Sequence, residues 1–170
     1  ITELDFSHKL AGKFFGYVNV MYMFNPRNTN GTLRSNNPTT IPATGEPIPL
    51  SNEMTVTDQY LLRGGARFVS HGIQAALGTR MECIPVEDLI GDSDGFRRPG
   101  YIVSLEPSFF YTKSQHTFGV NLPIALARNR TRSVIDKTRG NNPSTGEPYH
   151  GDAAFADWLV SFTYSYRLAR

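Results

Sequence analysis

Residues 54–86 read MTVTDQYLLRGGARFVSHGIQAALGTRMECIPV, and a period of two runs through both halves of the stretch. Val56, Tyr60, Leu62, Ala66 and Phe68 alternate with Thr57, Gln59, Arg63 and Arg67. After Ser70-His71-Gly72 the alternation resumes, with Ile73, Ala75, Leu77 and Met81 against Gln74, Arg80 and Glu82. Successive side chains of an extended chain point to opposite faces, so each half has one apolar and one polar face. A tight turn between two such halves predicts an antiparallel hairpin, with strands over 54–69 and 72–86.

The same pattern extends in both directions. Upstream, strands are expected over 1–9, where Leu4 and Phe6 alternate with Glu3 and Asp5, and over 13–25, with Phe14, Val18, Val20, Tyr22 and Phe24 on one face. Downstream they are expected over 100–112, 116–130 and 154–168, the last with Trp158, Val160, Phe162, Tyr164, Tyr166 and Leu168 against Asp157, Ser161, Thr163, Ser165 and Arg167. No helical period recurs. Leu10-Ala11-Gly12, Ser70-His71-Gly72 and Lys113-Ser114-Gln115 make tight turns, whereas 26–53, 87–99 and 131–153 are long and rich in Pro, Gly, Asn and Asp. In an antiparallel succession this puts every short turn at one end and every long loop at the other.

Alternation alone does not say which face is inside. A soluble barrel or sandwich packs its apolar face inward, and a transmembrane barrel turns that face to lipid. Three features favour lipid. The expected strands reach about 13–16 residues, beyond the ~5–6 usual in soluble sheets and enough for the ~9–11 that cross a bilayer. Tyr101, Tyr111, Trp158, Tyr164 and Tyr166 stand near the ends of the apolar bands, as interface girdles do. The loops are sorted by length. Composition agrees: hydrophobic residues make up only 39% of the chain while aromatics reach 12%, as expected where one face of each strand is polar. The expected fold is therefore all-β, an antiparallel up-and-down transmembrane β-barrel, with 1–170 forming one domain of about seven strands. Pro107 and Pro123 inside expected strands remove ladder donors and call for bulges or local edges. Bacterial single-chain barrels have an even strand number, so at least one strand and a signal peptide are expected before Ile1.

The closing stretch Ala153-Ala154-Phe155-Ala156-Asp157-Trp158-Leu159-Val160-Ser161-Phe162-Thr163-Tyr164-Ser165-Tyr166-Arg167-Leu168 resembles the last strand of bacterial outer-membrane β-barrels. It departs from that pattern in carrying Leu168 where an aromatic is usual, followed by Ala169-Arg170. Ile84-Pro85-Val86-Glu87-Asp88-Leu89-Ile90-Gly91, Phe96-Arg97-Arg98-Pro99-Gly100-Tyr101, Ser104-Leu105-Glu106-Pro107 and Val120-Asn121-Leu122-Pro123-Ile124-Ala125-Leu126, continuing to Arg128-Asn129-Arg130-Thr131, are similar to transporter-like barrels grouped with the phenol-degradation-pathway outer-membrane family. The resemblance covers roughly residues 55–168. It implies location in the bacterial cell outer membrane, recognition of the C-terminal strand by the barrel-assembly machinery, and transport.

Candidate functional residues follow from the polar face. Gln59, Arg63, Arg67, Gln74, Arg80, Glu82, Glu106 and Asn121 are expected to face a lumen. Arg63, Arg67 and Arg80, with Arg167, form either a cationic stripe that selects anions or an internal salt-bridge network with Glu82 and Glu106 as partners. Gly91-Asp92-Ser93-Asp94-Gly95, with Asp88 nearby, offers oxygen ligands in the manner of a calcium loop, although Asp-Gly turn chemistry accounts for it more simply. No metal or other cofactor is expected. Asn36-Asn37-Pro38 leads to Thr44-Gly45-Glu46-Pro47, and Asn141-Asn142-Pro143 leads to Thr145-Gly146-Glu147-Pro148, a shared turn chemistry or two loops meeting one ligand. His8, His71, His116 and His150 do not cluster and no nucleophile motif is present, so no enzyme is expected. Cys83 lies on the apolar face as a small hydrophobe. A net charge of +2 with dispersed basic residues argues against nucleic acid as a partner. The expected partners are membrane lipid and, through the loops or subunit contacts, a second copy or another protein. The expected function is a pore or transporter for small solutes. The alternatives are a structural or interaction barrel whose outer loops bind a partner, and a soluble β-barrel holding an apolar ligand.

Overall fold

The computed structural model describes residues 1–151 and 155–168. The protein is all-β. Its main sheet is an antiparallel meander of β1 (Thr2–Ala11), β2 (Phe14–Met23), β5 (Gln59–Ser70), β6 (Ile73–Ile84), β7 (Gly100–Lys113), the collinear β8 (His116–Asn121) and β9 (Ile124–Arg130), and β10 (Ser161–Tyr166). The hairpin expected around Ser70-His71-Gly72 forms with Tyr60 opposite Cys83 and Ser70 opposite Ile73. His71 and Gly72 both have positive φ, 47° and 81°, as a two-residue type I′ turn demands. The other short turns, at 12–13 and 114–115, lie at the same end of the sheet, and the long connections lie at the other.

Several boundaries differ from the sequence reading. Residues 54–58 do not begin the long third strand. Glu53–Thr55 forms β4, which pairs with β3 (Thr29–Leu33) in a separate two-stranded sheet. The chain then turns at Asp58, whose carboxylate takes up main-chain donors from elsewhere. The expected strand 116–130 is interrupted at 122–123, where Pro123 has no N–H to give. Both halves still pair with β7, Asn121 opposite Ser108 and Ile124 opposite Leu105, so Pro107 meets the same interruption. Leu122 N–H donates to the Pro107 carbonyl at 3.0 Å across it. A register shift between Val103 and Ser104 lies just beyond. The expected strand 154–168 shortens to Ser161–Tyr166 among the described residues, Ala154 lying outside them, with an isolated bridge of Trp158 to Ile124. Loop 131–153 holds an element the periodicity does not announce, helix α1 (Val134–Arg139). Ser133 and Asp136 form its capping box, each side chain accepting the other's main-chain N–H.

The two faces of the sheet differ sharply. Register puts Asp5, Asn19, Arg63, Arg80 and Ser104 side by side on one face, and Ser7, Tyr17, Gly65, Gly78 and Glu106 in the next row. The opposite face carries Leu4, Phe6, Val18, Val20, Leu62, Leu77, Phe109, Phe118 and Phe162, all exposed. The polar face is concave. Side chains from β1, β2, β5, β6, β7 and β8 line a single groove of about 230 Å³, although six flat neighbouring strands would span about 24 Å. Apolar burial is correspondingly small: among the described residues the buried hydrophobic side chains are Ile48, Leu61, Ile102 and Ile135. Among the described residues the sheet does not close. β1 and β10 are its edges, and all ten residues of β1 are exposed.

Candidate functional site

Charge collects at mid-strand on the concave face. Arg63 and Arg80 are directly opposite one another on β5 and β6, a repulsive placement if left alone. Glu106, on the next strand and only 4% exposed, lies between them. Its carboxylate is 3.4 Å from Arg63 Nε and 3.3 Å from Arg80 Nη1, and Arg80 Nη2 reaches Glu82 at 2.5 Å. Two guanidiniums and two carboxylates thus balance. The space for this comes from glycine: Gly65 and Gly78 face each other across the strands, and a Cβ at Gly78 would overlap Tyr17 Oη. Arg80 and Glu106 are the buried pair, and leaving either without its partner costs about 3–5 kcal/mol; Arg63 and Glu82 are partly in water and matter less.

The other expected lumen residues sit around this belt. Arg67 donates from Nη2 to Ser7 Oγ at 2.7 Å and stacks over Phe15, with 5.9 Å to the ring centroid. Gln74 and Asn121 line the same groove as Arg63, Arg67 and Glu106. Gln59 lies toward the long-loop end, in a second hollow with Met21, Leu61, Arg80, Glu82 and Phe155. Arg167 does not join the belt. Its N–H donates to the Gln115 carbonyl at the short-turn end. The arrangement is therefore the ion-pair network rather than a bare cationic stripe. Among the groove residues that the sequence reading did not single out are Asn19, and Glu3 and Asp5, whose carboxylates accept from Asn19 Nδ2 at 2.8 and 2.7 Å. Their alternation with Leu4 and Phe6 was the available signal.

A second polar cluster ties the loops at the other end. Asp58, fully buried, accepts from Tyr22 Oη at 2.9 Å, from Asn25 N–H at 2.6 Å and from Leu89 N–H at 3.0 Å. Its own N–H donates to Asp88 Oδ1 at 2.8 Å. Asp88 is gripped bidentately by Arg97, Nη1 to Oδ1 at 2.9 Å and Nη2 to Oδ2 at 2.7 Å, both side chains buried. Burial pushes the Asp58 carboxyl up, but the donors from Asn25, Leu89 and Tyr22, with the nearby Arg97, outweigh it and hold the group below its ordinary value. Asp88 is therefore committed to a guanidinium, while Asp92 and Asp94 are exposed. Among the described residues no three His, Cys, Asp or Glu side chains gather as a metal site. This cluster fixes loops and lies apart from the groove.

The Thr-Gly-Glu-Pro half of the repeated loop motif folds the same way twice, but Asn36-Asn37-Pro38 lies outside the first turn, where Thr40-Ile41-Pro42 takes the place of Asn141-Asn142-Pro143. Pro42-Ala43-Thr44-Gly45-Glu46-Pro47 and Pro143-Ser144-Thr145-Gly146-Glu147-Pro148 each form a turn closed by a bridge, Thr40 to Pro47 and Asn141 to Pro148. Thr44 Oγ1 accepts from Glu46 N–H and Thr145 Oγ1 from Glu147 N–H, both at 3.3 Å, and Gly45 and Gly146 take φ of 74° and 72°.

No protein-family model matches the chain, and no curated protein or solved structure does. The functional reading therefore rests on its own residues.

Proposed function

We propose that the chain forms the wall of a transmembrane β-barrel of the bacterial outer membrane, whose polar interior passes small solutes. The observation that carries this is the division of the faces. Charged and polar side chains occupy the middle of the concave face, while large apolar side chains stand exposed on the convex one. In water such a convex face would be an apolar patch far beyond what soluble monomers show. In hydrocarbon it is the required surface, and the mid-strand charges belong in a wet lumen. A soluble barrel holding an apolar ligand would have the opposite arrangement. Closure in a bilayer requires strand partners for the free edges of β1 and β10. The paired Pro-Ala/Ser-Thr-Gly-Glu-Pro turns favour a second reading, a barrel whose loops present two like surfaces to a partner.

The test is conductance of the purified full-length chain in planar bilayers. Discrete KCl currents are expected. Glu106→Gln removes the carboxylate that Arg63 and Arg80 share, leaves the belt net cationic, and should shift the reversal potential toward anions. Absence of any current from protein inserted in the bilayer would sink the pore reading and leave the interaction reading.

A further inference from the structure

Once Arg63, Arg80, Glu82 and Glu106 have neutralised one another, the groove still holds separated charges. On one wall are Glu3 and Asp5, two carboxylates bridged by the amide of Asn19, itself only 8% exposed. Neither is in an ion pair among the described residues. Close by is Arg67, also in no ion pair among them, with its guanidinium held by Ser7 Oγ at 2.7 Å. Ser7 is two residues from Asp5 on the same face of β1, about 7 Å along the strand. Lys9 lies on that face one step further, in the row of Phe15 and Arg67. The groove therefore carries a fixed dipole, acidic at Glu3 and Asp5 and cationic at Arg67.

We propose, on the footing of the pore reading, that the preferred solute is a small zwitterion whose ammonium and carboxylate are a few carbons apart. The ammonium would lie at Glu3 and Asp5 and the carboxylate at Arg67. A net anion satisfies Arg67 but faces two carboxylates. A net cation satisfies the carboxylates but faces Arg67. The groove of about 230 Å³ corresponds to about eight waters at ~30 Å³ each, room for a solute of that many heavy atoms.

The experiment uses the full chain in planar bilayers and three probes of seven heavy atoms each: γ-aminobutyrate, pentanoate as the anion, and γ-aminobutyramide as the cation. The measurement is the concentration of each that halves the KCl current. γ-Aminobutyrate should do so at a concentration lower by about threefold or more than either analogue, the scale set by one partly exposed ion pair. In the double variant Glu3→Gln, Asp5→Asn the advantage over the anion should vanish. In Arg67→Gln the advantage over the cation should vanish. The KCl current of each variant reports its insertion. Equal block by the three probes in the unaltered chain, or strongest block by the anion, overturns this proposal while the pore reading stands. Absence of KCl current overturns both.

Discussion

A buried carboxylate with three donors, Asp58, shows how much hangs on one side chain here. Replacing it with Ala would strand the Tyr22 hydroxyl and the Asn25 and Leu89 N–H groups, at about 1–3 kcal/mol for each donor left without water. The expected result is cleavage of the 85–97 loop by a protease that leaves the parent chain intact. Acid should do the same reversibly. The folded carboxyl titrates below its ordinary 3.8, so its contribution is fully present above that value and fades as pH falls through the lower, folded one. Protease resistance of the loop should hold from neutrality down to about pH 4 and be lost progressively below it; loss already at pH 6 would mean another group controls it. None of this was visible in the sequence, where Tyr22, Asp58, Asp88 and Arg97 are scattered and Asp88 reads as a turn or calcium residue. The belt was more legible. Arg63, Arg80, Glu82 and Glu106 each fall on the polar parity, and only the register that makes Glu106 the shared partner was missing.

Strands and turns were the most readable part of the chain because two independent signals coincide on them. Alternation marks the faces, and turn residues mark the ends. Where one signal is lost the reading slips. Residues 54–58 continue the alternation but belong to β4 and to the turn at Asp58, since three main-chain and side-chain donors fix that residue from outside its own segment. Ser133 and Asp136 spell a capping box, yet six helical residues are too few to show a period. The face assignment has a direct test. Leu77, on the convex side of β6, is 55% exposed, whereas Ser108 lies in the groove on the neighbouring strand. On the proposed reading, Leu77→Arg should destabilise the protein in lipid by about 2–4 kcal/mol, the midplane cost of a cation facing hydrocarbon, and Ser108→Arg by much less. Urea unfolding from liposomes measures both. Equal costs, or a larger one at Ser108, would argue that the convex face does not meet lipid.

Taken together, the molecule has two faces and almost no interior. Among the described residues Leu61 and Ile102 are the buried apolar side chains of the main sheet, against a convex surface running from Leu4 and Phe6 to Phe162 and Tyr164. A soluble domain gains its stability by burying apolar area; here that area is arrayed outward, which is what the proposed bilayer setting would reward. Trp158 makes the claim measurable, because it is the single Trp of the chain. It is 64% exposed, pairs with Ile124, which lies opposite Leu105 in the row next to the mid-strand charges, and shares the strand parity of Phe162, Tyr164 and Tyr166 on the convex face. On the proposed membrane wall a ring at that level faces the hydrocarbon rather than the headgroups. In vesicles of brominated lipid its fluorescence should be quenched, more by bromines deep in the chain than by bromines near the headgroup, and aqueous iodide should quench it weakly. Strong iodide quenching with no effect of brominated chains would place the convex face in water. The exposed apolar surface would then need a protein partner rather than lipid to cover it.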